Sequence, residues 1–329
     1  MSLRGMLCTV TGGTGMIGRE VCRQLVDLGA EVRSVSLDRT PKNPVEGVEY
    51  WQVDLCDTRD AQEVVGCSNM VFHVAGMKGG GELTRNRPAS FFVPLLQMNT
   101  NVLRCAFELR TRCVYVSSIG AYGGDDGSWG GDFDDEYLDI EEQMSFMPMD
   151  FYPGWAKRMG ELQCEAYYRE HGYDVAIVRP SNVYGIGDRF GPGAMVIPAL
   201  IRKSAEAEPG GEVEVLGDGS AVRDFVHARD VARGIIRACR YGTNGFVNLG
   251  GGPENAVSIG DLSYMLHKIT GRKYKFAGGK PTFSRRVLKI EKAKKLLGWE
   301  PEIPLCEGLQ EVWDWYQAGE REERVDYFE

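Results

Sequence analysis

The 329-residue chain lacks any unbroken apolar run of about eighteen residues, so no segment is expected to cross a membrane as a helix. It also lacks a basic excess. Lys and Arg number 38 against 47 Asp and Glu, a formal charge of −9, which argues against a nucleic-acid surface. The four histidines stand far apart and none of the nine cysteines falls in a CxxC pair, so neither type offers a zinc-ligand spacing. Scattered and odd in number, the cysteines read as small buried thiols of a reduced, cytoplasmic protein. No basic stretch leading into an apolar run and a small-residue cleavage site opens the chain, so a secretory signal is not expected. Repeats and low-complexity tracts are missing as well. What is present, 43% hydrophobic and 26% charged residues, suffices for a large core and for two folding units, or one large unit with an appended lobe.

Short apolar runs alternate with helical stripes. Met6–Val10, Val32–Leu37, Val48–Val53, Asn69–Ala75, Cys113–Val116 and Val175–Val178 read as strands. Between them, Ile17–Leu28 carries apolar residues at 17, 21, 25 and 28 and is closed by Gly29; Phe91–Leu109 and the stretch around Lys157–Arg169 are also helical. Strict alternation predicts an α/β fold with a doubly wound parallel sheet, covered on both faces and joined by right-handed crossovers. Beyond residue 180, Met195–Arg202, Ser258–Thr270 and Leu305–Tyr316 read as helices, while 226–249 returns to the helix-then-strand style. The expected division is 1–180 plus 224–250 for the sheet domain and 181–223 plus 251–329 for a smaller α/β lobe. The stretch 123–150, with ten acidic residues, reads as a long surface loop, functional or simply a solvated insertion.

The segment Thr11-Gly12-Gly13-Thr14-Gly15-Met16-Ile17-Gly18 falls between the first strand and the first helix. Gly12 suits a tight turn, Gly15 a close backbone approach to a diphosphate, and Gly18 close packing of helix on strand. The amides of Thr14, Met16 and Ile17 then open a helix N-terminus toward the anion. Asp38 follows Gly18 by the roughly twenty residues expected of a ribose-binding acid. Dinucleotide binding on a Rossmann-type sheet is the reading, with NAD favoured because Asp38 repels a 2′-phosphate. Arg39 and Ser36 beside it would instead suit NADP.

Further motifs make the chain resemble the extended short-chain dehydrogenase/reductases, the nucleotide-sugar epimerase/dehydratase family, over nearly its whole length. The glycine loop has that family's TGxxGxxG spacing, and Asp54-Leu55 matches its pair near the adenine. The run from His73 through Ala75, Gly76 and Met77 to Lys78 resembles the segment that holds the cofactor diphosphate in sugar 4-epimerases. Asn99 matches an asparagine of the long helix, Ser117 to Gly123 the strand end bearing the catalytic hydroxyl (here Ser118), and Arg179 to Gly185 the substrate-side motif, in which the resemblance implies Pro180 and Val183 at the cofactor and Asn182 at the substrate. Arg223-Asp224-Phe225-Val226-His227 and Leu297-Gly298-Trp299 are further signatures. The resemblance implies hydride transfer between sugar carbon 4 and the nicotinamide, with a tyrosinate as base, a lysine one turn later (Lys157) lowering its pKa and holding the nicotinamide ribose, and a Ser or Thr hydroxyl on the same oxygen. It also implies a nucleoside-diphosphate sugar as ligand, Asn99, Ser118, Asn182, Arg223 and Arg285 around it, and, as is common in relatives, a homodimer through helices 91–109 and 157–170. For the diphosphate arginines, Arg286 is the alternative to Arg285, and a solvated basic patch the alternative to both.

Ser118 and Lys157 fit these roles, but four residues before Lys157 stands Pro153. Tyr152 is one place early, about 140° around a continuous helix. Were Pro153 to open the helix, Tyr152 would be its cap, outside helical geometry and able to serve as the base; otherwise it is a packed aromatic. The 4,6-dehydratases carry Asp-Glu where this chain has Ile119-Gly120, and GDP-fucose synthase uses a cysteine and a histidine where this chain has Gly120 and Met195. Redox at a single carbon survives. The expected activity is an NDP-sugar 4-epimerase; the alternatives are a 4-keto-sugar reductase or 4-dehydrogenase, and, from Pro153, a binding protein without catalysis.

Overall fold

The computed structural model describes residues 2–39, 41, 44–77, 86–123, 131–133, 148, 151–243, 245–281 and 284–319. Seven strands form one sheet: β1 (Leu7–Thr11), β2 (Glu31–Ser36), β3 (Val48–Gln52), β4 (Met70–His73), β5 (Arg112–Val116), β7 (Ala176–Pro180) and β11 (Phe246–Leu249). Their spatial order is β3-β2-β1-β4-β5-β7-β11, and every pairing is parallel. The strand boundaries agree with the sequence reading to within one or two residues; the inner strands, buried on both faces, show as short apolar runs, while the edge strand β3 is only partly buried. Successive residues feed opposite layers: Met70 and Phe72 join one core with Val10, Val114 and Val178, whereas Val71, Cys113 and Ile177 join the other.

The helices that cover the sheet are α1 (Met16–Asp27) and α6 (Ala228–Tyr241) on the first face, and α2 (Thr58–Gly66), α3 (Pro88–Glu108) and α4 (Phe151–His171) on the second. None of the described helices is long and apolar enough to cross a membrane. Helix α2 was not anticipated. Its apolar stripe, Ala61, Val64 and Val65, is too short to give a period, and its start is set by Asp57, whose carboxylate accepts from the amides of Arg59 and Asp60.

After β7 the chain leaves the large sheet within two residues. β8 (Asn182–Tyr184) pairs with the end of β10 (Val222–His227), and α6 then carries the chain back to β11. β10 also pairs with β12 (Ala256–Ser258) and β14 (Arg285–Leu288), and β14 with β6 (Gly131–Phe133). A third core gathers α5 (Val196–Glu206), β9 (Glu212–Val215), α7 (Ile259–Thr270), β13 (Lys273–Phe276) and α9 (Leu305–Gln317), with α8 (Glu291–Leu297) packed on α6 and β11. The acidic stretch 123–150, expected as a long surface loop, lies outside the described residues except for Gly123, β6 and Pro148.

Asp224 ties these strands together. Fully buried, its Oδ2 accepts from the amides of Gly251 (3.1 Å) and Leu288 (3.2 Å), while its Oδ1 has no partner among the described residues. Burial raises its carboxyl from 3.8 to about 7, outweighing those bonds. A folded-state pKa above the unfolded one means the native state holds a proton the unfolded state releases, so stability is full below about 4 and lost as pH rises toward 7. Asp224→Asn mimics the protonated form and should escape this loss. The melting-temperature difference between variant and parent is expected to grow from pH 4.5 to 7 and level off above it; a flat difference would refute the titration.

Candidate functional site

The sheet order reverses between β1 and β4, which opens a crevice at the carboxyl ends of these strands. A cavity of about 1000 Å³ lies there. Its floor is the glycine loop. Gly12 has φ +68° and its amide donates to Val35 O at 2.7 Å; a Cβ at Gly12 would stand 2.8 Å from Ala75 Cα. A Cβ at Gly18 would stand 2.1 Å from Gly12 O, so α1 packs on the loop as only glycine permits. Gly15 caps α1 with no side-chain bond to its first turn. The loop is fixed from below by Thr11, whose hydroxyl meets His73 Nδ1 (2.8 Å) and accepts from the Ala75 amide (3.1 Å).

Beyond β2 the Asp38 carboxylate accepts from the Thr14 hydroxyl at 2.7 Å, and its amide donates to Ser36 Oγ at 3.2 Å. Both Asp38 and Ser36 line the cavity; Arg39 is exposed and off its wall. Asp54 and Leu55 line the same side. Their loop is held by Asn101, whose amide donates to the carbonyls of Leu55 and Cys56 at 3.0 Å each, a buried anchor that the sequence reading missed. Ala75 and Gly76 form the opposite wall with Met77. Lys78, expected at the diphosphate, lies outside the described residues.

At the inner end stands Lys157. Its Nζ donates to Val116 O at 2.8 Å and lies against Gly76, where a Cβ would be 3.5 Å from it. Burial pushes its ammonium down to about 8. Two residues past Val116, half-buried Ser118 accepts from the Gly120 amide at 3.0 Å, which leaves its own hydrogen for another oxygen. Neither Ser118 nor Lys157 lines the main cavity; they sit beyond its Gly76 end, and Pro180, Asn182 and Val183 likewise lie off its wall.

Three sequence expectations are placed differently. Helix α4 begins at Phe151, not at Pro153, so Tyr152 is within the helix and not a cap; 39% exposed, its ring packs edge-on against Phe151 and Phe92. Asn99 is fully buried beneath the site. Its Oδ1 meets His73 Nε2 (3.0 Å) and its amide donates to the Tyr115 hydroxyl (3.0 Å), so its polar atoms face protein and not cavity. Third, β10 and β14 pair Arg223 with Arg286 and Val222 with Arg285. Residues in register share a face, so Arg286 stands beside Arg223 and Arg285 projects to the other side.

The far wall comes from distant sequence. Asp188, Arg189 and Phe190 follow β8, and Phe190 packs on Trp315 and Tyr316 of α9, ring centroids 5.7 and 4.8 Å away. In the sequence Leu305–Tyr316 read only as a helix, with nothing to tie its aromatic pair to this loop. Among the described residues no group of three His, Cys, Asp or Glu could hold a metal ion.

Comparison with known proteins matches this geometry. The profile of the NAD-dependent epimerase/dehydratase family fits residues 8–250. The chain is 30% identical to a probable GDP-L-fucose synthase of Oryza sativa subsp. japonica over 93% of its length and 90% of the relative's. It is 29% identical to a dTDP-4-dehydro-6-deoxy-D-allose reductase of Streptomyces bikiniensis over 95% and 97%. Among solved structures, UDP-glucose 4-epimerase from Thermotoga maritima, crystallised with UDP-glucose, superposes with a TM-score of 0.79 at 26% identity, covering 95% of this chain and 99% of that one.

Proposed function

This chain belongs to the NAD-dependent epimerase/dehydratase family, and from that premise we propose that it is a nucleoside-diphosphate-sugar 4-epimerase that keeps NAD in the crevice above β1 and β4. The cradle fits the cofactor: a glycine loop in which side chains at Gly12 and Gly18 would collide with backbone, an uncapped helix N-terminus, and a carboxylate at the end of β2. When bound, NAD takes up the hydrogen and electron pair of a carbinol carbon and gives them back. The amides opening α1 would hold its diphosphate, and Asp38 its adenosine ribose. Ser118 would donate to the sugar oxygen beside Lys157, while Arg223 and Arg286, side by side, would fork onto the sugar-nucleotide diphosphate. This keeps the division into a cofactor domain and a nucleotide-sugar lobe, with β10 running across its boundary.

The observation that carries the reading is Asp38, tied to Thr14 on the cavity wall while Arg39 stays outside it. That pairing accepts ribose hydroxyls and repels a 2′-phosphate, which selects NAD and suits redox-neutral turnover. The far wall of Phe190 and Tyr316 supports a cofactor retained between turnovers. The reductase named among the relatives favours a second reading, reduction of a 4-keto sugar.

Protein purified without added cofactor is expected to convert one member of a panel of UDP-, GDP- and dTDP-hexoses to its 4-epimer, read by NMR, with no change in absorbance at about 340 nm in bulk. Stoichiometric consumption of NADH or NADPH on a 4-keto sugar, with no epimer formed, would replace this reading by the reductase.

A further inference from the structure

The helix that carries Lys157 offers it no phenol. Pro153 occupies the position one turn earlier, and Tyr152 is held against Phe151 and Phe92, about 140° around the helix. A second phenol, Tyr115, lies beside the amine, its ring centroid 5.2 Å from Nζ, but it is fully buried. Its hydroxyl donates to Lys157 O (3.2 Å) and accepts from Asn99, and burial pushes its pKa far up. His73, from β4, has both ring nitrogens bonded and is pushed down to about 3, so it stays neutral. Glu161, one turn after Lys157, is gripped by Arg179 of β7 at 2.7 and 2.5 Å. Among the described residues, the hydrogen bond of Lys157 Nζ goes to Val116 O alone, next to Gly76 at the inner end of the cavity.

We propose that Lys157 is itself the proton carrier of this enzyme, with no tyrosine between it and the sugar. The role rests on the nucleotide-sugar reading above. In the oxidising half, the neutral amine takes the carbinol O–H proton: an N–H bond forms as O–H breaks. The carbon-bound hydrogen leaves with its electron pair to the oxidised nicotinamide, and the alcohol becomes a ketone. In the reducing half the hydride would return from the reduced nicotinamide to the opposite face of that carbon, the C=O π pair moving onto oxygen, and the ammonium gives its proton back to the same oxygen. Ser118, donating its hydrogen to that oxygen, holds it between the two.

The surroundings fit this work. An amine poised near 8 is neutral in about a tenth of molecules at pH 7, a population a general base can use. The carboxylate of Glu161 raises the amine's pKa, while burial, the larger effect, lowers it. From the packed elements, Tyr115 and His73 contribute no charge near neutrality, and Arg158 is turned to Ala121 O.

The test uses the full chain. Tyr152→Phe is expected to keep kcat within about twofold and to leave the rising limb of its pH profile near 8, while Lys157→Met loses about 10²- to 10⁴-fold. In protein labelled with ¹³Cε-lysine and free of substrate, the resonance missing from Lys157→Met should titrate with a midpoint near 8. A hundredfold loss in Tyr152→Phe with NAD binding intact, or a Lys157 midpoint above about 10, its ordinary value, overturns the inference and leaves sugar-nucleotide turnover standing. Absence of turnover with every sugar nucleotide sinks the reading above and this role with it.

Discussion

Gly15→Val should weaken NAD binding by about a hundredfold or more while the protein still folds. The two effects separate at this residue because of where its Cβ would go. Gly15 sits at φ −70° and ψ 165°, backbone open to any residue, and an added Cβ meets only Gly12 O, at 3.0 Å. A shift of a few tenths of an ångström relieves that contact, and replacing a glycine cap by valine costs about 1 kcal/mol. The valine methyls, however, would occupy the cavity wall where the proposed diphosphate would meet the first amides of α1. Hydrogen bonds to a charged group contribute about 1.5–3 kcal/mol each, and losing two exceeds the roughly 2.8 kcal/mol that a hundredfold change requires. Gly18→Val behaves differently: its Cβ would stand 2.1 Å from Gly12 O, so α1 must move off the loop and stability falls together with binding. Calorimetric titration with NAD and a thermal melt on both variants separate the cases. A Gly15→Val protein that binds NAD within about threefold of the parent would remove the diphosphate from this loop.

The contrast between those glycines was legible in the sequence, since each answers a local demand of a strand–turn–helix. So were Asp38, a fixed distance beyond, and the buried strands. What was not legible depends on contacts between distant segments. Nothing near Trp315 or Tyr316 signals that they face a loop some 130 residues away and a cofactor crevice at the other end of the chain. Asn99 has the residue type of a ligand contact, and only the packing of α3 shows its amide bridging His73 and Tyr115. For Arg285 and Arg286 the ambiguity is one of parity: a strand alternates faces, so the choice between neighbours waits on the register with β10. Tyr152 turned on where a helix starts, and a proline near its first turn is compatible with more than one starting residue.

Arg179→Met is expected to destabilise the fold by about 3–5 kcal/mol, a large share of a domain's stability. Arg179 and Glu161 are both fully buried, joined by two bonds at 2.7 and 2.5 Å. The guanidinium is stacked between Phe246 and Tyr122, 3.9 and 4.3 Å from their ring centroids. Removing the arginine leaves a buried carboxylate without the guanidinium that bonds it, Lys157 and Arg158 acting on it only through space, and that poorly compensated charge, not the lost attraction, dominates the cost. The double variant Arg179→Met/Glu161→Leu removes both charges and should recover most of the loss, since an apolar pair of similar size can match a buried ion pair. Urea denaturation of the two variants measures this. A double variant no more stable than the single one would mean that the ring stacking, and not the charge balance, is what Arg179 supplies. The pair also bears on the chemistry. Glu161 lies one turn beyond Lys157 on the same helix face, and Arg179 holds its charge toward β7. Glu161→Leu takes away the one carboxylate that raises the amine, so in the double variant the Lys157 midpoint should fall below its parent value even where stability is regained. Stability and proton affinity at this helix therefore respond to the same two residues in separable ways, and the ¹³C titration of the double variant reads the second without the first.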